Sequence, residues 1–219
     1  MDIGTGFPAW ASLPAWGVAA AVLATTVRGL PLARYREDAA LRRVLLSATL
    51  AIMAMRWFNT AALQGVMLHF LGATIATLMF GASTACWAMA LVSLAGVLLG
   101  AAWQGWAMDF MATGALPVAV TALASWAART WLPRNVFAYI MLNAFAAGAL
   151  AMAASMLAKA AVTALLGGRA LAAYLVATPM LMFAEAFFAG TVMALVVVYR
   201  PHWCRSFDDR AYLWPERRM

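Results

Sequence analysis

Residues 170–199 read ALAAYLVATPMLMFAEAFFAGTVMALVVVY, and within them Glu185 is the one charged side chain. A run this long and this apolar is a helix that crosses a hydrocarbon layer of roughly 30 Å. It decides the solvent in which the chain folds. Downstream, Arg200 to Met219 turns polar and aromatic, as suits water or headgroups. Upstream the pattern repeats. Val136 to Leu166 is apolar, interrupted by Asn143 and Lys159 and closed by Gly167 and Gly168. Phe110 to Trp131 is apolar with Pro117 inside, and Thr84 to Trp103 is another full-length run. Leu68 to Phe80 stops at Gly81 and is too short to cross upright, so this third helix is short or partly re-entrant. Val44 to Phe58 is broken by Arg56 and Asn59, and Trp10 to Val27 precedes an arginine-rich loop, unlike a cleaved signal peptide.

These runs predict an all-α integral membrane protein with seven transmembrane helices. Residues 1–199 are expected to form a single transmembrane helical bundle, and residues 200–219 a C-terminal tail. Composition agrees: 66% of the 219 residues are hydrophobic and 11% charged, with a mean hydropathy of +0.85, far from a soluble domain. The net charge of +7 does not point to nucleic acid, because the basic residues lie in short clusters between apolar runs. They read as topology signals. With the N-terminus outside, the inner loops and the cytoplasmic tail hold Arg28, Arg34, Arg36, Arg42, Arg43, Arg129, Arg134, Arg200, Arg205, Arg210, Arg217 and Arg218, leaving only Arg56, Lys159 and Arg169 outside.

Ionisable groups at membrane depth need a reason. Glu185 sits midway along helix seven, where pairing with Asn143 or another inward polar group makes it either a structural clamp or part of a substrate path. His69 opens helix three on the outer side; a neutral imidazole there binds a transition metal or hydrogen-bonds a neighbouring loop. Asp109 begins helix five, where the helix dipole favours a carboxylate. Arg56 and Lys159, near helix ends, are expected to snorkel outward. Met53, Met55, Met67, Met108 and Met111 fall near outer helix ends and suit Cu(I), although methionine is also ordinary apolar filler. Ala11, Ala15 and Ala19, and again Ala144, Gly148 and Met152, have the spacing that lets helices approach closely. The chain carries no phosphate-binding loop, CxxC pair or HExxH motif. With two histidines, catalysis has few candidate residues, so the chain is not expected to be an enzyme and would drive active transport only through a partner or an ion gradient.

The segments His69-Phe-Leu-Gly-Ala-Thr74, Leu78-Met-Phe-Gly81, Pro133-Arg-Asn-Val-Phe-Ala-Tyr139, Phe183-Ala-Glu-Ala-Phe187, Val197-Val-Tyr-Arg-Pro201 and Phe207-Asp-Asp-Arg-Ala-Tyr-Leu213 together resemble the CbiM/NikM-type family. Its members are the permease and substrate-capture subunits of energy-coupling factor transporters for cobalt and nickel. The resemblance implies a bacterial inner-membrane subunit that captures a divalent metal near the outer surface. It would deliver the metal with a transmembrane coupling subunit and paired cytoplasmic ATPases. It also implies a metal site built from the N-terminal amine, a histidine at position two and a histidine opening the short third helix. His69 matches the last. Position two is Asp2 here, so an imidazole is replaced by a carboxylate, and Asp109 stands where the family often carries asparagine. The resulting ligand set is the Met1 amine, Asp2, His69 and Asp109, for cobalt or nickel as substrate, with copper ranked behind. Two alternatives remain: a family member without metal capture that serves as a structural or assembly membrane protein, and a copper-handling membrane protein.

Overall fold

The computed structural model describes residues 9–57, 60–63, 66–133, 135–167, 170–208 and 212. Among the described residues, the regular structure is helical apart from one small hairpin. Helix α1 spans Ala9–Val27, α2 Leu32–Glu37 and α3 Ala39–Trp57. Strands β1 (Thr60–Leu63) and β2 (Val66–Leu68) pair antiparallel with Thr60 opposite Leu68. Then come α4 (Ala73–Phe80) and α5 (Ala82–Leu98). The last three helices, α6 (Trp103–Trp131), α7 (Val136–Leu165) and α8 (Leu171–Tyr199), are each long and apolar enough to cross a membrane. Ser12–Val27 and Ala82–Leu98 are shorter apolar helices. Large apolar side chains such as Leu50, Leu123, Leu157, Phe183 and Val198 face outward, which is the surface a bilayer requires.

Several boundaries differ from expectation for local reasons. Helix α3 starts at Ala39 rather than Val44 because the Asp38 carboxylate accepts from the Leu41 amide at 2.8 Å, an N-cap that satisfies an orphan donor. Trp103 belongs to α6, not to the preceding helix: α5 ends at Leu98, and Gly100, at φ +105°, turns the chain. Pro117 cannot donate to the preceding turn. The turn before it, Met111–Ala115, widens to π geometry, with the Leu116 amide reaching the Met111 carbonyl.

Helix α4 is short, as expected, with eight residues, all buried. At 1.5 Å per residue it is about 12 Å long, and it begins at Ala73 rather than Leu68 because Val66–Leu68 is taken up by the hairpin. Helices α7 and α8 pack against each other through small residues. A methyl on Gly148 would stand 3.2 Å from Ala189 Cβ and 3.3 Å from the Glu185 carbonyl oxygen, so the small-residue spacing read from the sequence marks a real close approach. The core between α4 and its neighbours is filled by Leu71, Phe80, Phe110, Tyr139, Met152 and Met193.

Candidate functional site

Two polar arrangements stand inside the bundle, one fully buried and one partly buried. In the first, Glu185, fully buried on α8, accepts from the Leu71 amide at 2.9 Å and the Gly72 amide at 3.0 Å. Both donors lie just ahead of a helix whose first amides have no intrahelical partner. Gly72 adopts φ +67°, a left-handed conformation that admits glycine without strain. A Cβ there would also stand 2.8 Å from Ile52 Cγ1. Glu185 lies 14 residues from each end of α8, about 21 Å, so the clamp holds the start of α4 level with the middle of α8. The expected partnership with Asn143 does not form. Asn143 is buried, and among the described residues its Oδ1 has no hydrogen-bond partner. Backbone donors reach the Glu185 carboxylate instead.

The second arrangement is ionic. Arg56, at the end of α3, pairs both oxygens of Asp109 on α6 through one guanidinium nitrogen. Its other terminal nitrogen donates to Ser93 Oγ at 3.2 Å and Thr113 Oγ1 at 3.1 Å. Thr113 in turn donates to the Asp109 carbonyl at 2.7 Å. The expectation that Arg56 and Lys159 snorkel outward is therefore corrected. The Arg56 side chain is 15% exposed and Lys159 is 3% exposed. A carboxylate and two hydroxyls offer Arg56 charge-assisted bonds inside the bundle. Lys159 shares the buried face of α7 with Ser155 and lies within electrostatic reach of both Asp109 and Arg56.

His69 lies two residues ahead of Leu71, which Glu185 holds, and four residues ahead of α4 rather than within its first turn, and is 7% exposed. Its Nδ1 stands 3.1 Å from the Phe70 carbonyl oxygen. That bond places the proton on Nδ1 and leaves the Nε2 lone pair open, the state in which imidazole ligates a metal. Nε2 is buried and, among the described residues, has no hydrogen-bond partner. The Lys159 ammonium and the Arg56 guanidinium act electrostatically on this ring. Among the described residues, no three His, Cys, Asp or Glu side chains converge as a ligand cluster. The Met1 amine and Asp2, the other ligands implied by resemblance, lie outside the described residues. Asp109 is described, and both of its oxygens are engaged by Arg56.

Of the methionines considered for copper, Met108 and Met111 line an apolar groove of about 420 Å³ with Trp10, Pro14, Val18 and Leu165. The side chain of Met67 lies outside the described residues. The two cysteines, Cys86 and Cys204, are both free and buried.

The family model described as the cobalt uptake substrate-specific transmembrane region, CbiM, matches residues 5–203. The chain belongs to that family. No curated protein matches it. CbiM is a transport-component family, and the match runs from ahead of α1 to just past α8, covering the Glu185 clamp, the Arg56–Asp109 pair and His69. As a CbiM member the chain is a cobalt uptake transmembrane component, with cobalt as the substrate that the family implies. The roles of Arg56 and Lys159 were missed by sequence reasoning. The available signal was that Arg56 and Lys159 fall on the outer side and that Asp109 begins helix five at the end facing the same side, where opposite charges at membrane depth seek one another.

Proposed function

We propose that this CbiM-family chain is the substrate-capture subunit of an energy-coupling factor importer for cobalt or nickel. It works in the bacterial inner membrane with a transmembrane coupling subunit and cytoplasmic ATPases. In this reading the chain crosses the membrane seven times, with its N-terminus outside and its tail in the cytoplasm; the arginine distribution supports that orientation. His69 supplies the principal ligand, and the Met1 amine and Asp2 complete the set. Asp109 serves chiefly to neutralise Arg56, which would otherwise repel a divalent cation. The observation that carries the reading is the buried Nε2 of His69, without a hydrogen-bond partner among the described residues and with its tautomer set by the Phe70 carbonyl. Imidazole nitrogen suits cobalt and nickel. Binding lies ahead of α4 and below the outer surface, so a captured ion would be shielded from water. The test is uptake of radiolabelled Co(II) by cells that lack their own importer and express this chain with its coupling subunit and ATPases. Uptake is expected with the wild type and absent with His69→Ala; equal uptake by the two would refute the assignment.

One observation favours the second reading, a family member without metal capture that serves a structural or assembly role. The buried Lys159 ammonium lies within electrostatic reach of the ring that would hold the metal, and like charges oppose each other strongly where water is excluded. The two readings separate on Lys159→Met. Removing this charge tightens Co(II) binding if the site captures metal, and changes nothing if it does not.

A further inference from the structure

We propose that the segment Pro201–Phe207 is a releasable latch on the inner end of α4, and that its docking keeps His69 buried at the other end of the same helix. An eight-residue helix has almost no stability of its own, and its last carbonyls lack intrahelical donors. The chain immediately after α8 supplies them. The Arg205 amide donates to the Met79 carbonyl at 2.9 Å, and the Ser206 amide to the Leu78 carbonyl at 3.1 Å. Ser206 Oγ also donates to Leu78 at 2.8 Å.

The latch is itself held by one side chain of α7. The Tyr139 hydroxyl bonds both Ser206 Oγ and Cys204 Sγ, and the Phe207 ring packs edge-on against Tyr139 at 5.0 Å. Cys204 and Phe207 face inward while His202 and Arg205 are exposed, next to exposed Arg200 at the end of α8. The outer face of the latch is thus polar and open to a partner that could draw it away. Helix α4 therefore depends on two distant clamps, Glu185 at its start and the latch at its end. Releasing the latch exposes carbonyls that a helix this short cannot leave unpaired, so α4 loosens as a unit. The segment that carries His69 loosens with it.

The test uses full-length protein in detergent and needs no metal, so its failure is distinguishable from failure of the metal-capture reading. Tyr139→Phe removes the hydroxyl with no change of ring, and Ser206→Ala removes the other partner of the Tyr139 bond together with the Oγ bond to the Leu78 carbonyl, leaving α7 untouched. Latch opening is read as maleimide labelling of Cys204, mapped by mass spectrometry against Cys86. Exposure of His69 is read as diethyl pyrocarbonate modification, with exposed His202 as the internal reference. In whichever variant elutes as a folded monodisperse protein, Cys204 labelling is expected to rise about tenfold, the effect of losing roughly one hydrogen bond, with His69 modification rising in parallel. Increased Cys204 labelling with unchanged His69 modification overturns the coupling. Unchanged Cys204 labelling in both variants overturns the latch.

Discussion

Substitution of Glu185 tests the clamp at the start of α4. In the wild type the carboxylate satisfies the amides of Leu71 and Gly72, 114 and 113 positions away in the chain, with no exposed surface through which water could replace it. Glu185→Ala orphans both donors. Each buried unsatisfied amide costs about 1–3 kcal/mol, so the variant should lose about 2–6 kcal/mol. Glu185→Gln keeps the shape and one acceptor but turns an amide NH₂ toward one of the donors, so it should lose about 1–3 kcal/mol. In a chain of this size 1 kcal/mol corresponds to a melting shift of about 2–4 °C. The expected order of thermal stability in detergent, read by tryptophan fluorescence, is therefore wild type, then Gln, then Ala. Hydrogen exchange localises the effect: the amides of Leu71, Gly72 and α4 should lose protection ahead of α7. An alanine variant that melts with the wild type and keeps protection at Leu71 and Gly72 would show that the carboxylate is not what holds α4.

Three further outcomes follow from the same geometry. Gly72→Ala places a side chain at φ +67° and 2.8 Å from Ile52 Cγ1; the conformation alone costs about 1–2 kcal/mol, and thermal unfolding should show at least that loss. Gly100→Ala is the control, since its φ of +105° carries the strain but nothing lies within 4 Å of the added methyl, so it should cost less. Asp109→Ala leaves the partly buried Arg56 guanidinium without its carboxylate and should destabilise by about 1–3 kcal/mol, whereas replacing both residues with leucine should recover most of that loss; the melting temperatures of the two variants against the wild type check this.

How much of this was legible in the sequence depends on the kind of interaction. The three long helices declare themselves by hydropathy alone, because a hydrocarbon solvent leaves no other use for thirty apolar residues. The brevity of the third helix was legible in the short run ending at Gly81, and the close packing at Gly148 in small-residue spacing. Glu185 stood out as a buried charge, but its partners could not be read, since backbone amides carry no sequence identity and a carboxylate accepts from any that folding brings near. The same reason hid the docking of Arg205 and Ser206 on the carbonyls of Met79 and Leu78, which turns the start of the tail into part of the bundle. Arg56 and Lys159 were misread because a long cation near a helix end can turn to water or inward, and only the position of Asp109, Ser93 and Thr113 decides. His69 was legible as a candidate ligand. Its orientation was not, because the Phe70 carbonyl that sets its tautomer is a backbone group.

The capture role is tested most directly by titrating the detergent-purified protein with Co(II), Ni(II), Zn(II) and Cu(I), comparing the wild type with His69→Ala. One Co(II) or Ni(II) per chain, lost in the variant, is the predicted result. No metal bound by the wild type, or binding that survives the loss of His69, would contradict it.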